Sequence, residues 1–211
     1  MKLTRILVAD AHPVVWEGLQ ARLALQREQW EVCAVAATGP DAVAKAVVLK
    51  PDIVIMDYKM PGMDGLEAAN EIRKRAPAVE VLIYSGVETP YILRRIFHSR
   101  VRGCLLKSED LDGLFPALEA VRCHHHFRSR GISAACEALG EEGGPIEPLT
   151  RREMDILRLI VKGSAAKDSA GELGISPRTV ETHRTRLLRK LNLDSSIQVV
   201  VFAVQEGLIE V

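Results

Sequence analysis

Short apolar runs alternate with helical patterns along the first half of the chain. Runs at residues 5–9, 31–36, 53–57, 80–85 and 103–106 suit strands covered on both faces of a parallel sheet. Between them apolar residues recur at helical spacing. This repeated βα order predicts an α/β fold, a doubly wound five-stranded parallel sheet over residues 1–123. The pattern dissolves over residues 124–147, where Gly131, Gly140, Gly143, Gly144 and Pro145 predict a linker with a short helix at 133–139. From 148 to 211 the period is that of helices, and a small all-α bundle is expected. Thr150 and Glu153 have the spacing of a capping box, with Met154, Leu157, Ile160 and Val161 as the buried face of the helix they open. A second helix is expected at 166–173. Gly174 then supplies a left-handed turn, Ser176 a cap and Pro177 the first residue of a third helix, and a fourth runs over 197–206.

Composition narrows the class. The chain has 211 residues, 47% apolar and 27% charged, enough for two modest domains each with its own core. No run approaches the roughly 18 apolar residues of a membrane span, so a cytoplasmic protein with no membrane partner is expected. The 28 basic and 28 acidic residues cancel, and bulk charge gives no support for nucleic-acid binding. Local charge does: Arg178, Arg184, Arg186, Arg189 and Lys190 face Glu181 alone between residues 178 and 190. Cys33, Cys104, Cys123 and Cys136 lack the paired spacing of a zinc site or disulfide framework and read as reduced thiols. His124, His125 and His126 follow one another and point in different directions, so they cannot all reach one ion.

The candidate chemistry lies at the ends of the apolar runs, where open α/β sheets place it. The stretch Ile53-Val54-Ile55-Met56-Asp57 delivers a carboxylate into a Pro/Gly turn, Asp10 ends the first run, Ser85 the fourth, and Lys107 follows the fifth. Together these residues resemble the site of a response-regulator receiver domain, which has a flavodoxin-like fold. Residues 149–153 with Gly174 through His183 resemble a LuxR-type helix-turn-helix. The combination is similar to the NarL/FixJ class of transcriptional regulators over nearly the whole chain. The resemblance implies Asp57 as phosphoacceptor, Ser85 and Lys107 as the groups that meet the phosphoryl oxygens, and Mg²⁺ held by Asp10, Asp57 and the carbonyl of Lys59. It also implies a sensor histidine kinase as partner and a homodimer on double-stranded DNA.

Two positions depart from the family pattern. Ala11 stands where a second carboxylate is usual, which should weaken Mg²⁺ binding by a few kcal/mol at most. Cys104 stands three before Lys107, where an aromatic lever is usual, and a thiol is too small for that part. Two readings therefore stand side by side: a receiver switched by phosphorylation at Asp57, or a phosphorylation-independent platform for dimerisation and protein contacts on the same regulator.

On the third helix Val180, Leu187, Leu188 and Leu191 form one apolar stripe, and Arg178, Glu181, Thr182, Thr185 and Arg189 face the other way. Alignment to the family motif puts Glu181, Thr182 and Thr185 near bases. Arg178, Thr179, Arg184, Lys190 and Lys167 are expected at phosphates, with Arg184 foremost. His183 is a contact or a packing residue, and Lys190 a contact or a solvated charge. Val199, Val200, Val201, Phe202 and Val204 make the last helix apolar on more than one side, which suits a dimer face. An enzyme is not expected: Lys59 replaces the second aspartate of haloacid-dehalogenase phosphatases, and no nucleotide-binding glycine motif is present.

Overall fold

The computed structural model describes residues 3–86, 89–138, 149–191, 193–206 and 208. Two compact units divide it, Met1–Glu88 with Ile96–Gly140, and Thr89–Arg95 with Glu141–Val211. Along the first part of the chain β1 (Thr4–Ala9), β2 (Trp30–Ala36), β3 (Ile53–Met56), β4 (Glu80–Ser85) and β5 (Gly103–Leu106) alternate with α1 (Pro13–Ala24), α2 (Gly39–Leu49), α3 (Gly65–Arg75), α4 (Pro90–Phe97) and α5 (Leu114–Arg122). The predicted strands are all present, displaced by no more than a residue at either end. All of β3 is buried, as a strand covered on both faces requires. Ile6, Val8, Ile53, Ile55, Leu82 and Leu105 pack on one face against Leu19 and Leu23 of α1 and Leu114 and Leu118 of α5. Each such side chain contributes about 1.5–3 kcal/mol on burial.

Among the described residues the sheet has six strands rather than five. β6 (Phe127–Arg128) adds in parallel to β5, with Phe127 beside Gly103 and Arg128 beside Cys104, in the order β2-β1-β3-β4-β5-β6. A two-residue strand has no period for a sequence to display. It is held instead by its ladder, in which the Phe127 N–H donates to the Arg102 carbonyl at 2.8 Å and the Ser129 N–H to the Cys104 carbonyl at 3.0 Å. The Arg128 guanidinium also donates to the Phe97 carbonyl at 3.0 Å and lies 4.6 Å from the centre of that ring. Next, α6 (Arg130–Ala138) starts three residues before the expected helix. A Cβ on Gly131 would come within 2.8 Å of Leu106 Cδ1, and its N–H donates to Glu109 Oε1 at 2.7 Å. Gly131 thus serves a close approach rather than linker flexibility. The Gly-rich remainder of the expected linker, 139–147, lies outside the described residues, as does residue 148.

The second unit contains α7 (Arg151–Val161), α8 (Ala166–Leu173), α9 (Pro177–Leu191) and α10 (Ser196–Gln205). The capping box is formed: the Thr150 hydroxyl accepts from the Glu153 N–H at 3.2 Å, and the Glu153 carboxylate accepts from the Thr150 N–H at 2.8 Å. The buried face of α7 is Ile156, Leu157, Leu159 and Ile160, while Met154 and Val161 are half-buried. Gly174 ends α8 at φ +64, and the Ser176 hydroxyl accepts from the Thr179 N–H to open α9. Val180 and Leu187 are buried and Leu188 and Leu191 half-buried, as the stripe requires. Val199 and Ala203 seat α10 in the bundle, leaving Ile197, Val201 and Val204 on an exposed apolar side at helical spacing. Among the described residues no helix is long and apolar enough to cross a membrane. Among the described residues Cys33, Cys104 and Cys123 form no disulfide.

Candidate functional site

The carboxyl ends of the central strands are stitched together by the residues that carry the chemistry. The Asp10 N–H donates to the Ala36 carbonyl at 2.9 Å, the Asp57 N–H to the Ala9 carbonyl at 2.8 Å, and the Lys107 N–H to the Ser85 carbonyl at 2.7 Å. Each ladder therefore runs one residue past its strand, and the backbone of the site is as fixed as the sheet. A Cβ on Gly65 would collide with the Asp57 carbonyl oxygen, so only glycine lets α3 start this close to Asp57.

The side chains converge. Lys107 Nζ lies 2.6 Å from Asp10 Oδ2 and 3.0 Å from Asp57 Oδ2. Asp10 is 2% exposed, Asp57 4% and Ser85 fully buried, whereas the Lys107 side chain is 18% exposed. Burial pushes the Asp57 carboxyl above its ordinary range. The Lys107 ammonium opposes that rise, Asp10 adds to it, and the Lys59 N–H bond offsets a little of it. A single ammonium is shared by two carboxylates, and for Asp57 it does not outweigh burial.

The sequence reading missed a third member. The His12 N–H donates to Asp10 Oδ1 at 2.8 Å, and its ring Nδ1 lies 3.1 Å from the same oxygen. Asp10, His12 and Asp57 each offer a ligand atom, all within 4.8 Å of one another, and form a group able to hold a metal ion. The signal available was the Asp10-x-His12 spacing beside Ala11. Lys59 is exposed, and Cys104 is buried in β5 with no aromatic in its place.

On α9 the predicted residues separate into two sets. Lys167, Arg178, Thr179, Glu181, Thr182 and Thr185 are exposed, as is Arg186, which entered the charge count but was given no role. The Thr182 hydroxyl donates to the Arg178 carbonyl at 2.9 Å and the Thr185 hydroxyl to the Glu181 carbonyl at 3.0 Å. With their protons turned into the helix, both oxygens offer lone pairs outward. Arg184 is half-buried, bonded to Ser196 Oγ at 2.9 Å and reaching Glu181 at 3.5 Å. Lys190 departs from both expectations held for it. Its ammonium lies 2.9 Å from Glu153 Oε2 and the side chain is only 11% exposed. The capping glutamate at the start of α7 draws it inward. His183 is half-buried, with Nδ1 shielded from solvent and no hydrogen-bond partner among the described residues.

Residues 6–119 match the family model described as the response regulator receiver domain, and residues 147–203 that of bacterial regulatory proteins of the luxR family. The oxygen regulatory protein NreC of Staphylococcus epidermidis is 32% identical over 98% of this chain and 99% of its own length. The response regulator protein VraR of Staphylococcus aureus is likewise 32% identical, over 98% of this chain and 99% of its own. Among solved structures, RcsB from Salmonella enterica serovar Typhimurium, bound to promoter rprA with phosphomimetic BeF3-, superposes at TM-score 0.70. At 22% identity, over 95% of this chain and 98% of that one, it shows a shared fold. The response regulator ChrA of a heme-sensing two-component system is 27% identical at TM-score 0.56, covering 99% of this chain and 100% of its own.

Proposed function

We propose, because the chain belongs to the bacterial response regulators that join a receiver domain to a LuxR-type DNA-binding domain, that phosphorylation of Asp57 controls its binding to specific DNA sequences. The observation that carries this reading is the Lys107 ammonium held between Asp10 and Asp57 at 2.6 and 3.0 Å. An aspartate becomes an acyl phosphate when the charge gathered in the transition state is neutralised. Asp57 is the attacking carboxylate, held by its own backbone to β1. Lys107 is poised to leave Asp57 for the phosphoryl oxygens, and Ser85, at the end of β4, supplies the hydroxyl that meets them.

The paired carboxylates fit a divalent cation, since both aim an oxygen at one resident positive charge. Asp10, Asp57 and the Lys59 carbonyl would hold Mg²⁺, and the ion would supply charge neutralisation during transfer. Ala11 removes one carboxylate from that set. Its absence favours the second reading, a platform for dimerisation and protein contacts that works without phosphorylation. Intact-mass spectrometry after incubation with a small phosphodonor and Mg²⁺ separates the two. A phosphate gain absent from Asp57→Asn supports the switch, and no gain in a folded protein supports the platform.

In the DNA-binding domain, proposed as residues 148–211 after a receiver at 1–123 and a connection at 124–147, α9 enters the major groove. Glu181, Thr182 and Thr185 face base edges, where the outward lone pairs of the threonines accept from adenine or cytosine amino groups. Lys167, Arg178, Thr179 and Arg186 face phosphates, Arg184 reaches one from its place beside Ser196, and His183 packs at the edge. Lys190 supports the helix instead. The exposed side of α10 at Ile197, Val201 and Val204 fits a second copy, which suits two half-sites. A sensor histidine kinase is the expected phosphodonor, regulation of transcription rather than catalysis the main role, and the cytoplasm, where the chromosome lies, the place of action. A gel shift with salt titration tests the contact sorting.

A further inference from the structure

Where β6 stops, the edge of β5 passes to a side chain. The Ser129 N–H makes the last rung of the ladder with the Cys104 carbonyl at 3.0 Å. In a parallel pair the next rung would run from the Leu106 N–H to the Ser129 carbonyl. That carbonyl accepts from the Ser133 N–H at 3.0 Å instead, because α6 has begun. Glu109 takes up both loose ends. Its Oε2 accepts from the Leu106 N–H at 3.3 Å, and its Oε1 from the Gly131 N–H at 2.7 Å. One carboxylate thus splices the end of β5 to the first turn of α6, where a negative charge suits the open N–H groups. Gly131 makes room for it: a Cβ there would stand 3.1 Å from Glu109 Oε1 and 2.8 Å from Leu106 Cδ1.

Glu109 lies two residues beyond Lys107. The turn between them is gripped at its two ends, by the Lys107 N–H on the Ser85 carbonyl and by Glu109 on the Gly131 N–H, both at 2.7 Å. Its inner bonds, between Leu106 and Glu109, are longer, both at 3.3 Å. Resting on the reading of Asp57 as phosphoacceptor, we propose that Glu109 couples the phosphorylation site to α6. As Lys107 leaves Asp57 for a phosphoryl group, the turn shifts at its long inner bonds and the Glu109 carboxylate carries the start of α6 with it. This path takes the place of the aromatic lever absent at Cys104. Ile132, fully buried, seats α6, and a packed helix moves between discrete seats rather than by degrees. From α6 the chain runs on to α7, so a change of seat reaches the DNA-binding domain along the chain itself.

The test uses the full-length chain, acetyl phosphate with Mg²⁺, and a duplex that the treated parent chain selects from a random-sequence pool. DNA affinity is measured with and without acetyl phosphate, and intact mass in parallel. In the parent, phosphorylation should change the affinity about tenfold. Glu109→Ala should bring that ratio to within about twofold of unity while the mass gain persists, because Lys107 keeps its own bond to Ser85. Gly131→Ala, which wedges the splice open, should do the same. Glu109→Gln, which keeps an oxygen for the Gly131 N–H, should retain most of the ratio. Ala134→Gly, at an exposed position of α6, weakens the helix without touching the splice and should leave the ratio intact. A full ratio in Glu109→Ala, an equal collapse in Ala134→Gly, or a phosphorylated parent whose affinity does not respond overturns the coupling alone. No mass gain in a folded parent sinks the phosphoacceptor reading, and the coupling with it.

Discussion

Lys107 and Lys190 are both drawn against buried carboxylates, yet the two places differ in how charge is matched. In the receiver, one ammonium serves Asp10 and Asp57, and burial leaves the Asp57 carboxyl raised. In the DNA-binding domain, the Lys190 ammonium is bonded to Glu153. There burial pushes the carboxyl up too, but the Lys190 bond and the two Thr150 bonds outweigh it and leave Glu153 lowered. The first site is short of positive charge and holds a group at a cost to the fold. The second is complete and fastens the start of α7 to the end of α9. A deficit of charge fixed in a rigid backbone supports the role proposed for the first place, receipt of a cation or a phosphoryl group, whereas a balanced pair suits a structural tie.

The largest effect that could break this comparison is at the balanced pair. Lys190→Met leaves Glu153 buried and uncompensated, and should cost the DNA-binding domain about 3 kcal/mol in chemical denaturation. A loss under 1 kcal/mol would show Lys190 to be a loosely held surface charge. Next, Asp57→Asn removes the excess charge and should stabilise the receiver by about 1 kcal/mol, roughly 2–4 °C in midpoint for a chain of this size. A fall in midpoint would contradict the deficit.

The pH dependence follows from the opposite shifts. With its folded value raised, Asp57 penalises the fold at neutral pH, and the penalty is relieved as pH falls through that raised value toward the ordinary 3.8. The gain from Asp57→Asn should therefore shrink on acidification. Glu153 contributes above its ordinary 4.5, and that contribution is lost only as pH falls through its lowered folded value. The loss from Glu153→Gln should persist at pH 5 and shrink below it, as urea melts across the range would show. The smallest effect is on DNA: Arg186→Ala should reduce the salt slope of binding by about one, whereas Lys190→Arg should leave it unchanged.

The sheet and the principal site were legible because both follow from chain order. Apolar runs specify buried parallel strands, and residues just past their carboxyl ends are brought together by the topology, as Asp10, Asp57, Ser85 and Lys107 are. What could not be read depended on side-chain reach or on structure without a period. Lys190 looked like a basic surface residue until the capping glutamate of another helix lay beside it. His12 was given no role from the sequence, because only the fold brings its ring against Asp10. β6 is too short to show alternation, and Gly131 in a run of glycines signalled flexibility where it serves contact. Arg184 was placed on the right helix, but its bond to Ser196 belongs to an element twelve residues away.

The sixth strand bears on how the receiver is isolated for study. An uncovered strand offers its free backbone groups as a template for another chain, and natural sheets blunt such edges. At the far side of this sheet, the β2 edge is broken by a register shift opposite Ile6 and Leu7, and Lys45 Nζ caps the Val35 carbonyl at 2.7 Å. At the near side the guard is β6, too brief to template anything itself. A fragment ending at residue 123 would lose that guard and present Gly103–Leu106, four buried residues, as a bare adhesive edge. One ending at residue 138 would keep it, and should stay monodisperse at concentrations where the shorter fragment precipitates.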